Sequence, residues 1–507
     1  MKDSRKALDT PLRPASEVEP SPALGASSSL QNLHRVRVLV AIASFGEKNL
    51  EFLRKIICDY RSMAMDVHLV VNSEAPKNLD AGVRVIVGFP GRNPHSLPFA
   101  HKRIFVENID RYDLFVYSED DIGVKEQSIY AFLRATADLE PDEIAGYVRY
   151  EIGQDGTVSL PDVHGQFHWK PESVRRRGSY TVAEFTNEHA GFYILSQAQL
   201  RRAIASGEYL RGPYEGRYGM LETAATDPYT CCGFRKVICI SALEEFLIHH
   251  MPNRYVGVMG IPLTAFKEQI QTLRDIQNGL YRATRLCEVE PKVLQRHWSK
   301  SYYEDPDQEI LGMVPKDAAT ILSVGCGWGA TEVKLKLRGS QVTALPLDSV
   351  IGASVARQDV EVVSGTLAEC SRSLSGRSFD CVLMSNLLHL LPEPWSVLRE
   401  YAGFVGNGGV FIIAGYNFDF LPHLLKRRLG IGDYRKLRDF NQSGVHPQGI
   451  TRVKRELQYA GFQIECLRWF EAFPPKPLPH LRHWPGQLTK RNWIIKARRG
   501  GQILCLG

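Results

Sequence analysis

Two stretches of the chain carry residue types whose spacing could do chemistry. The first is Glu119-Asp120-Asp121, three consecutive carboxylates directly after the apolar run Leu114–Tyr117. Adjacent carboxylates repel one another and are costly to desolvate, so a triplet persists most readily where a cation compensates it. Oxygen donors of this kind suit Mg2+ or Mn2+, with substrate phosphates completing the coordination. A solvated acidic turn at a helix start is the plainer alternative. The second stretch is Ile-Leu-Ser-Val-Gly-Cys-Gly-Trp-Gly at 321–329, which sets Gly325, Gly327 and Gly329 at alternate positions between a strand and a helix. Glycine there lets the backbone approach a ligand closely. Nineteen residues further on lies Asp348, whose carboxylate could accept hydrogen bonds from a ribose diol.

Other polar residues are open to two readings. Arg92, His101, Lys102 and Arg103 precede the acidic strand and could bind a diphosphate, or the last three could be one face of a helix over Pro98–Asn108. His389 and His446 are the nearest general-base candidates to the glycine run, although His389 sits in Leu-Leu-His-Leu-Leu, where a hydrogen-bonded structural role is the plainer one.

Elements of α/β type must position these residues. Val36–Ser44 is an apolar run ending in small residues and Gly46, and a helix-like segment follows from Leu50 to about Arg61. Apolar runs at Val67–Asn72, Val83–Val87 and Leu114–Tyr117 alternate with stretches long enough for crossovers, which predicts a largely parallel, doubly wound sheet with its ligand site at the strand carboxyl ends. The pattern restarts at Ile321–Val324 and continues at Gln341–Leu345, Val360–Val363, Asp380–Met384 and Gly409–Ala414. The expected organisation is a flexible tail at 1–34, an α/β domain at 35–264, a helical connector at 265–292 and a second doubly wound α/β domain at 293–500.

Composition narrows the setting. A chain of 507 residues exceeds one hydrophobic core. Its ten cysteines form no CxxC pair and no repeating spacing, which points to a reducing, cytoplasmic environment without a disulfide framework or zinc site. No run approaches the ~20 apolar residues of a membrane helix. Residues 421–507 hold 17 Lys and Arg against 5 Asp and Glu, whereas residues 1–420 hold 45 against 51. That basic end would attract phosphates, including anionic lipid at the inner face of a membrane, or is a solvated face. It shows no interleaved aromatic stacking platform and no RNA-binding module, so no nucleic-acid partner is expected.

The ordered set formed by the glycine run, Asp348, Gly365-Thr366-Leu367, Ser385-Asn386 and Gly408-Gly409 resembles the class I S-adenosylmethionine-dependent methyltransferases over roughly 293–500. The resemblance implies a Rossmann-like fold and S-adenosylmethionine as cofactor. Gly325, Gly327 and Gly329 would pass under its methionine and ribose, Asp348 would hold the ribose, Thr366 and Leu367 would flank the adenine, and Ser385 and Asn386 would lie near the methyl group. Two positions depart from the family pattern: Ser323 stands where an acid often precedes the first glycine, and Pro346 where the ribose acid usually lies.

Residues 35–262 resemble the A-type (GT-A) glycosyltransferases, with Glu119-Asp120-Asp121 as a version of the metal-binding Asp-x-Asp motif and Ala43-Ser44-Phe45 as a nucleotide-holding turn. In that reading Asp121, Glu119 and a late histidine, His249, meet the metal, while Glu119 and Asp120 also serve the nucleotide-sugar. Glu222 would deprotonate the acceptor hydroxyl, with Glu188 and Asp227 as rivals. Two adjacent histidines on a strand face opposite ways, so only one of His249 and His250 can serve. The combined expectation is a bifunctional enzyme that adds a sugar from a nucleotide-sugar donor to a glycan or lipid-linked saccharide and O-methylates the glycan. The alternative is a methyltransferase of a small molecule or lipid with a non-catalytic glycosyltransferase-like binding domain.

Overall fold

The computed structural model describes residues 36–293, 298–472 and 485–500; the expected tail at 1–34 and most of the Pro-rich segment 473–486 lie outside them. The chain forms two compact units, one of residues up to Val163 together with Ser173–Leu263, the other of His164–Glu172 together with the chain from Thr264 onward. The division at Leu263 falls where the composition shifts, but His164–Glu172 leaves the first unit for the second, which no local pattern announces.

In the first unit β1 (Arg37–Ser44), β2 (Asp66–Ser73), β3 (Arg84–Val87) and β4 (Leu114–Glu119) are parallel in the order β4-β1-β2-β3, and Phe192–Ser196 runs antiparallel beside β4. β1 reads Arg-Val-Leu-Val-Ala-Ile-Ala-Ser and is buried from Val38 to Ser44, as a parallel strand covered on both faces requires. Helix α1 (Leu50–Arg61) turns Leu53, Ile56, Ile57 and Tyr60 inward at helical spacing. The register sets Ala43 between Asn72 and Glu119, so the carboxyl ends of three strands meet.

The rest of this unit corrects the expectation of a largely parallel sheet. It builds a four-stranded and a five-stranded mixed sheet, in which Arg175–Arg177 and Tyr180–Glu184 form a hairpin across the two-residue turn Gly178-Ser179. Gly178, at φ 50°, supplies the left-handed backbone such tight turns demand. Glu143 lies fully buried under these strands and accepts from Arg175 at 2.7 Å, Arg177 at 2.9 Å and Arg235 at 3.2 Å.

In the second unit β5 (Thr320–Cys326), β6 (Gln341–Pro346), β7 (Glu361–Val362), β8 (Phe379–Ser385), β9 (Val405–Tyr416), β10 (Phe462–Ala472) and β11 (Lys490–Arg499) form one sheet in the order β7-β6-β5-β8-β9-β11-β10. The first five are parallel and β11 runs antiparallel to both neighbours. The last two strands replace what the charge count alone suggested, a basic face: β11 buries Trp493, Ile494, Ile495 and Ala497 between cationic ends. Among the described residues no helix is long and apolar enough to cross a membrane.

Burial alone would raise the pKa of Glu143, but Arg177 and Arg175 hold it down at about 2. Its contribution to stability is therefore present above the ordinary carboxylate range and lost as pH falls toward 2. Glu143→Gln should cost the first unit about 3 kcal/mol at neutral pH, with the gap to the parent protein narrowing as the pH of a urea titration is lowered from 5 toward 2.

Candidate functional site

Each unit gathers its chemistry at the carboxyl ends of its parallel strands. In the first, Asn49 at the start of α1 donates from Nδ2 to Asp120 Oδ1 at 2.8 Å and to Asp121 Oδ2 at 3.1 Å. The Ser44 hydroxyl also bonds Asp120. The turn after β1 is fastened from outside, Gly46 donating its amide to Glu74 at 3.0 Å and Lys77 donating to the Gly46 carbonyl. Ala43 and Ser44 are buried in this turn, whereas Phe45 is 59% exposed near Phe89.

Asp121 is buried, and its Oδ1 has no hydrogen-bond partner. Facing it is His250, fully buried, whose Nε2 also lacks a hydrogen bond and stands 3.5 Å from Asp121 Oδ2. Its Nδ1 meets Glu151 at 2.5 Å, which fixes the ring. Thus His250, not His249, shares the site. The strand Leu247–His250 pairs His250 with Ile122, next to Asp121, and alternation turns His249 away to stack on Tyr150, with Nε2 3.1 Å from Asn253. Nearby, the side-chain amide of buried Asn72 has no partner on either atom.

The electrostatics are those of crowded acids. Burial, then the neighbouring Asp121, pushes Glu119 up to about 7, and burial raises Asp120 against the pull of Asn49 and Ser44. Burial would raise Asp121 too, but His250, Arg254 and Arg149 together lower it. The described residues contain no group of three or more His, Cys, Asp or Glu arranged to hold a metal. Asp121 Oδ1 and His250 Nε2 are two buried polar atoms left open at this strand end.

The three base candidates separate clearly. Asp227 is buried and bound by Lys102 and by Tyr214 at 2.7 Å. Glu188 is held by Arg217 at 2.5 Å and by the Tyr218 hydroxyl. Glu222, in the first turn of α2 (Met220–Thr230), has no hydrogen bond or ion pair among the described residues and adds to the field that raises Glu119. The diphosphate reading fails for three of its four residues: Lys102 pairs with Asp227, His101 bonds Pro98 and Tyr193 inside the core, and Arg103 pairs with Glu107 on the helix Ala100–Glu107. Arg92 and Arg103 are both exposed, and of the four only Arg92 makes no hydrogen bond or ion pair among the described residues.

In the second unit the glycine run is the turn between β5 and α3 (Ala330–Leu337), with Gly325 at φ 78° and Gly329 at φ 90°. Glu332 reaches back from α3 to Ser323 at 2.6 Å, so a carboxylate stands beside the place where the sequence lacks one. Glu332, Lys300 and Ser385 line one cleft with Gly325 and Gly327, and the buried Ser385 Oγ has no partner. A cation, a carboxylate and an open hydroxyl suit a zwitterionic amino-acid group such as the methionine end of the cofactor.

The nucleoside end does not fit in the same way. β6 ends at Pro346, and Asp348 is the cap of α4 (Ser349–Ala356), accepting from the amides of Val350 at 2.8 Å and Ile351 at 2.9 Å. Burial pushes it up to about 6 despite those bonds. Asp348 thus caps a helix through Oδ1, which takes both amides, two residues past the strand end. Thr366 caps α5 (Leu367–Ser373) in a capping box with Glu369, and the amide of Leu367 donates to the carbonyl of Leu286 at 3.2 Å. Asn386 holds a left-handed backbone at φ 50°. Gly327 admits the chain itself: a Cβ there would sit 2.4 Å from the Tyr302 carbonyl oxygen.

His389 is also corrected. It is 3% exposed, with Nε2 2.7 Å from the Trp298 carbonyl, and is packed against Tyr416 and Phe418, so it supports the core. His446 stacks on Phe440 and bonds the Pro392 carbonyl at 3.0 Å.

Residues 322–413 match a family described as a methyltransferase domain. The chain is similar to a tRNA (guanine-N(7)-)-methyltransferase of Pectobacterium atrosepticum, 26% identical over 212 residues, covering 38% of this chain and 88% of the relative. It is also similar to a ubiquinone biosynthesis O-methyltransferase of Albidiferax ferrireducens, 23% identical over 213 residues, covering 38% and 78%. Among solved structures it is similar to a SAM-dependent methyltransferase from Archaeoglobus fulgidus at 16% identity and TM-score 0.30, covering 38% and 90%. Within the C-terminal region, residues 322–413 thus correspond to a methyltransferase domain, carried on an α/β sheet of Rossmann-like order.

Burial holds the His389 imidazole neutral down to about pH 4, although the Trp298 carbonyl pulls the other way. A depressed histidine leaves the unit fully stable above its ordinary value of 6.5 and weakens it as pH falls from there toward 4. His389→Leu should lower stability by about 1–2 kcal/mol at pH 7.5 through the orphaned carbonyl. Urea unfolding at a series of pH values should show the acid-side decline flattened in the variant.

Proposed function

We propose that the chain joins a cation-dependent nucleotide-sugar transferase in its first unit to a methyltransferase that O-methylates the resulting glycan. The observation that carries the first half is the pair of buried, unpartnered atoms, Asp121 Oδ1 and His250 Nε2, at the carboxyl end of a parallel sheet. Open sheets of this kind bind ligands at that end, and buried polar atoms are rarely left without partners unless a ligand, ion or water supplies them.

In this reading a divalent cation, when bound, neutralises charge that develops on the departing diphosphate. Asp121 and His250 hold it. Asn49 keeps both aspartates aimed at it, and Asn72 offers an unused donor and acceptor to the nucleotide. Glu222 takes the acceptor hydroxyl proton, being the one acid of the three rivals without an anchor. In the second unit the cleft of Lys300, Glu332 and Ser385 receives the methionine end of the cofactor.

Thermal melts of the full chain with Mn2+ and a panel of nucleoside diphosphate sugars should rise for at least one donor, and Asp121→Ala should abolish that rise. Glu222→Gln should keep the shift while lowering transfer by about 100-fold or more. A panel with no stabilising nucleotide would overturn the transferase reading and leave the first unit a binding module for the methyltransferase.

A further inference from the structure

The C-terminal unit has the shape of a cofactor-binding domain, yet its own chain runs through the nucleoside end of the crevice. At the place where the family resemblance puts adenine, the Leu367 amide donates to the Leu286 carbonyl at 3.2 Å, and the Leu286 amide donates to the Leu347 carbonyl at 2.9 Å. One step back, the Ser349 amide donates to the Thr284 carbonyl at 3.0 Å and the Thr284 amide to Ser349 Oγ at 3.2 Å. Leu286 is 3% exposed and shares an apolar cluster with Leu347, Ile351 and Cys370. The segment thus supplies an acceptor, a donor and an apolar body.

We propose that residues 284–286 are a strap that occupies the nucleoside subsite, and that S-adenosylmethionine binds only when the strap is displaced. This rests on the methyltransferase reading of the unit. The strap is built to move without opening the sheet. Upstream of it, Gly279 has a left-handed backbone at φ 72° and Leu280 is 76% exposed, so a hinge lies outside the core. Its polar hold on the sheet is mostly through backbone groups that another ligand can satisfy, and the buried Leu286 side chain supplies the rest.

The strap is anchored by residues of the excursion His164–Glu172, which belongs to the same unit. Arg285 pairs with Glu172 at 2.6 Å. Tyr302, which presses its carbonyl on Gly327, stacks on His168 with ring centroids 4.2 Å apart and donates its amide to the Gly165 carbonyl at 2.7 Å. Since a site that is open only part of the time binds more weakly in proportion, strap occupancy sets the apparent cofactor affinity.

Calorimetric titration of the full chain with S-adenosylhomocysteine tests this. Leu286→Gly, which removes the apolar body, should bind roughly tenfold tighter than the parent, and Glu172→Ala, on the exposed side of the anchor, severalfold tighter. Hydrogen exchange should show the Leu286 amide losing protection in the complex while Leu367 keeps it. Binding to the parent with Leu286 still protected, or equal affinity in all three proteins, would overturn the strap. Absence of binding to all three, each folded by circular dichroism, would overturn the methyltransferase reading and the strap with it.

A separate observation concerns the surface of this unit. The helix Leu421–Leu429 has no buried residue, and Leu425, Leu429 and Ile431 are 50%, 70% and 52% exposed. They stand among Lys426, Arg427, Arg428, Arg435 and Arg438, and the local carboxylate Asp433 is already paired with Lys436 at 2.9 Å. Aliphatic side chains set in a cationic helix match the charge and depth of an anionic lipid surface. The geometry points to this helix as the contact with such a surface. The protein should sediment with phosphatidylcholine vesicles only when they contain phosphatidylglycerol, less so at high salt. Leu425→Glu with Leu429→Glu should abolish it; retained binding by that variant, or none by the parent protein, would overturn the assignment.

Discussion

The cost of burying charge where parallel strands end governs both halves of this protein. A parallel sheet covered on both faces offers solvent only at its strand ends, and there β4 delivers Glu119, Asp120 and Asp121 in succession. Desolvation and mutual repulsion raise Glu119 and Asp120. The surroundings answer with Asn49, His250, Arg254 and Arg149, enough to keep Asp121 ionised and not enough to satisfy its second oxygen. A structural acid cluster looks different, as Glu143 shows beneath its three arginines. Incomplete compensation is what distinguishes a site from a strut.

The second unit meets the same constraint with its own chain. Asp348 gives one carboxylate oxygen to two helix amides, and Leu286 closes the backbone edge between Leu347 and Leu367. At the methionine end Ser385 Oγ is left without a partner, in a cleft it shares with Lys300, which pairs with Glu304, and Glu332, which accepts from Ser323. The crevice is therefore half prepared and half filled, an asymmetry that a single packed conformation of a cofactor domain does not require.

What the sequence made legible follows from which interactions are local. Apolar runs and the Gly325-Gly327-Gly329 turn placed β1 to β8 and the core of β9 to within a few residues, because strand burial and turn conformation are written in neighbouring residues. The acid triplet was legible for the same reason. The choice between His249 and His250 was not, since alternation says that one faces Asp121 but antiparallel pairing with Ile122 decides which. The capping role of Asp348 was not legible either: a carboxylate after a strand serves equally as ligand or helix cap, and the start of the helix at Ser349 shows the cap. β11 was hidden by charges gathered mostly at its ends around a buried centre, and β10 by charges spaced along it at Glu465, Arg468 and Glu471.

The strap was invisible for a deeper reason. Thr284, Arg285 and Leu286 engage the sheet through peptide groups, which every residue carries, so no motif marks them. The same holds for the Tyr302 carbonyl against Gly327, where the glycine signals a close approach but not what approaches. A glycine-rich turn read from sequence states that backbone must come near. Whether that backbone belongs to the turn beneath a ligand or to another part of the chain is a tertiary fact, and here Tyr302 is the group that comes near.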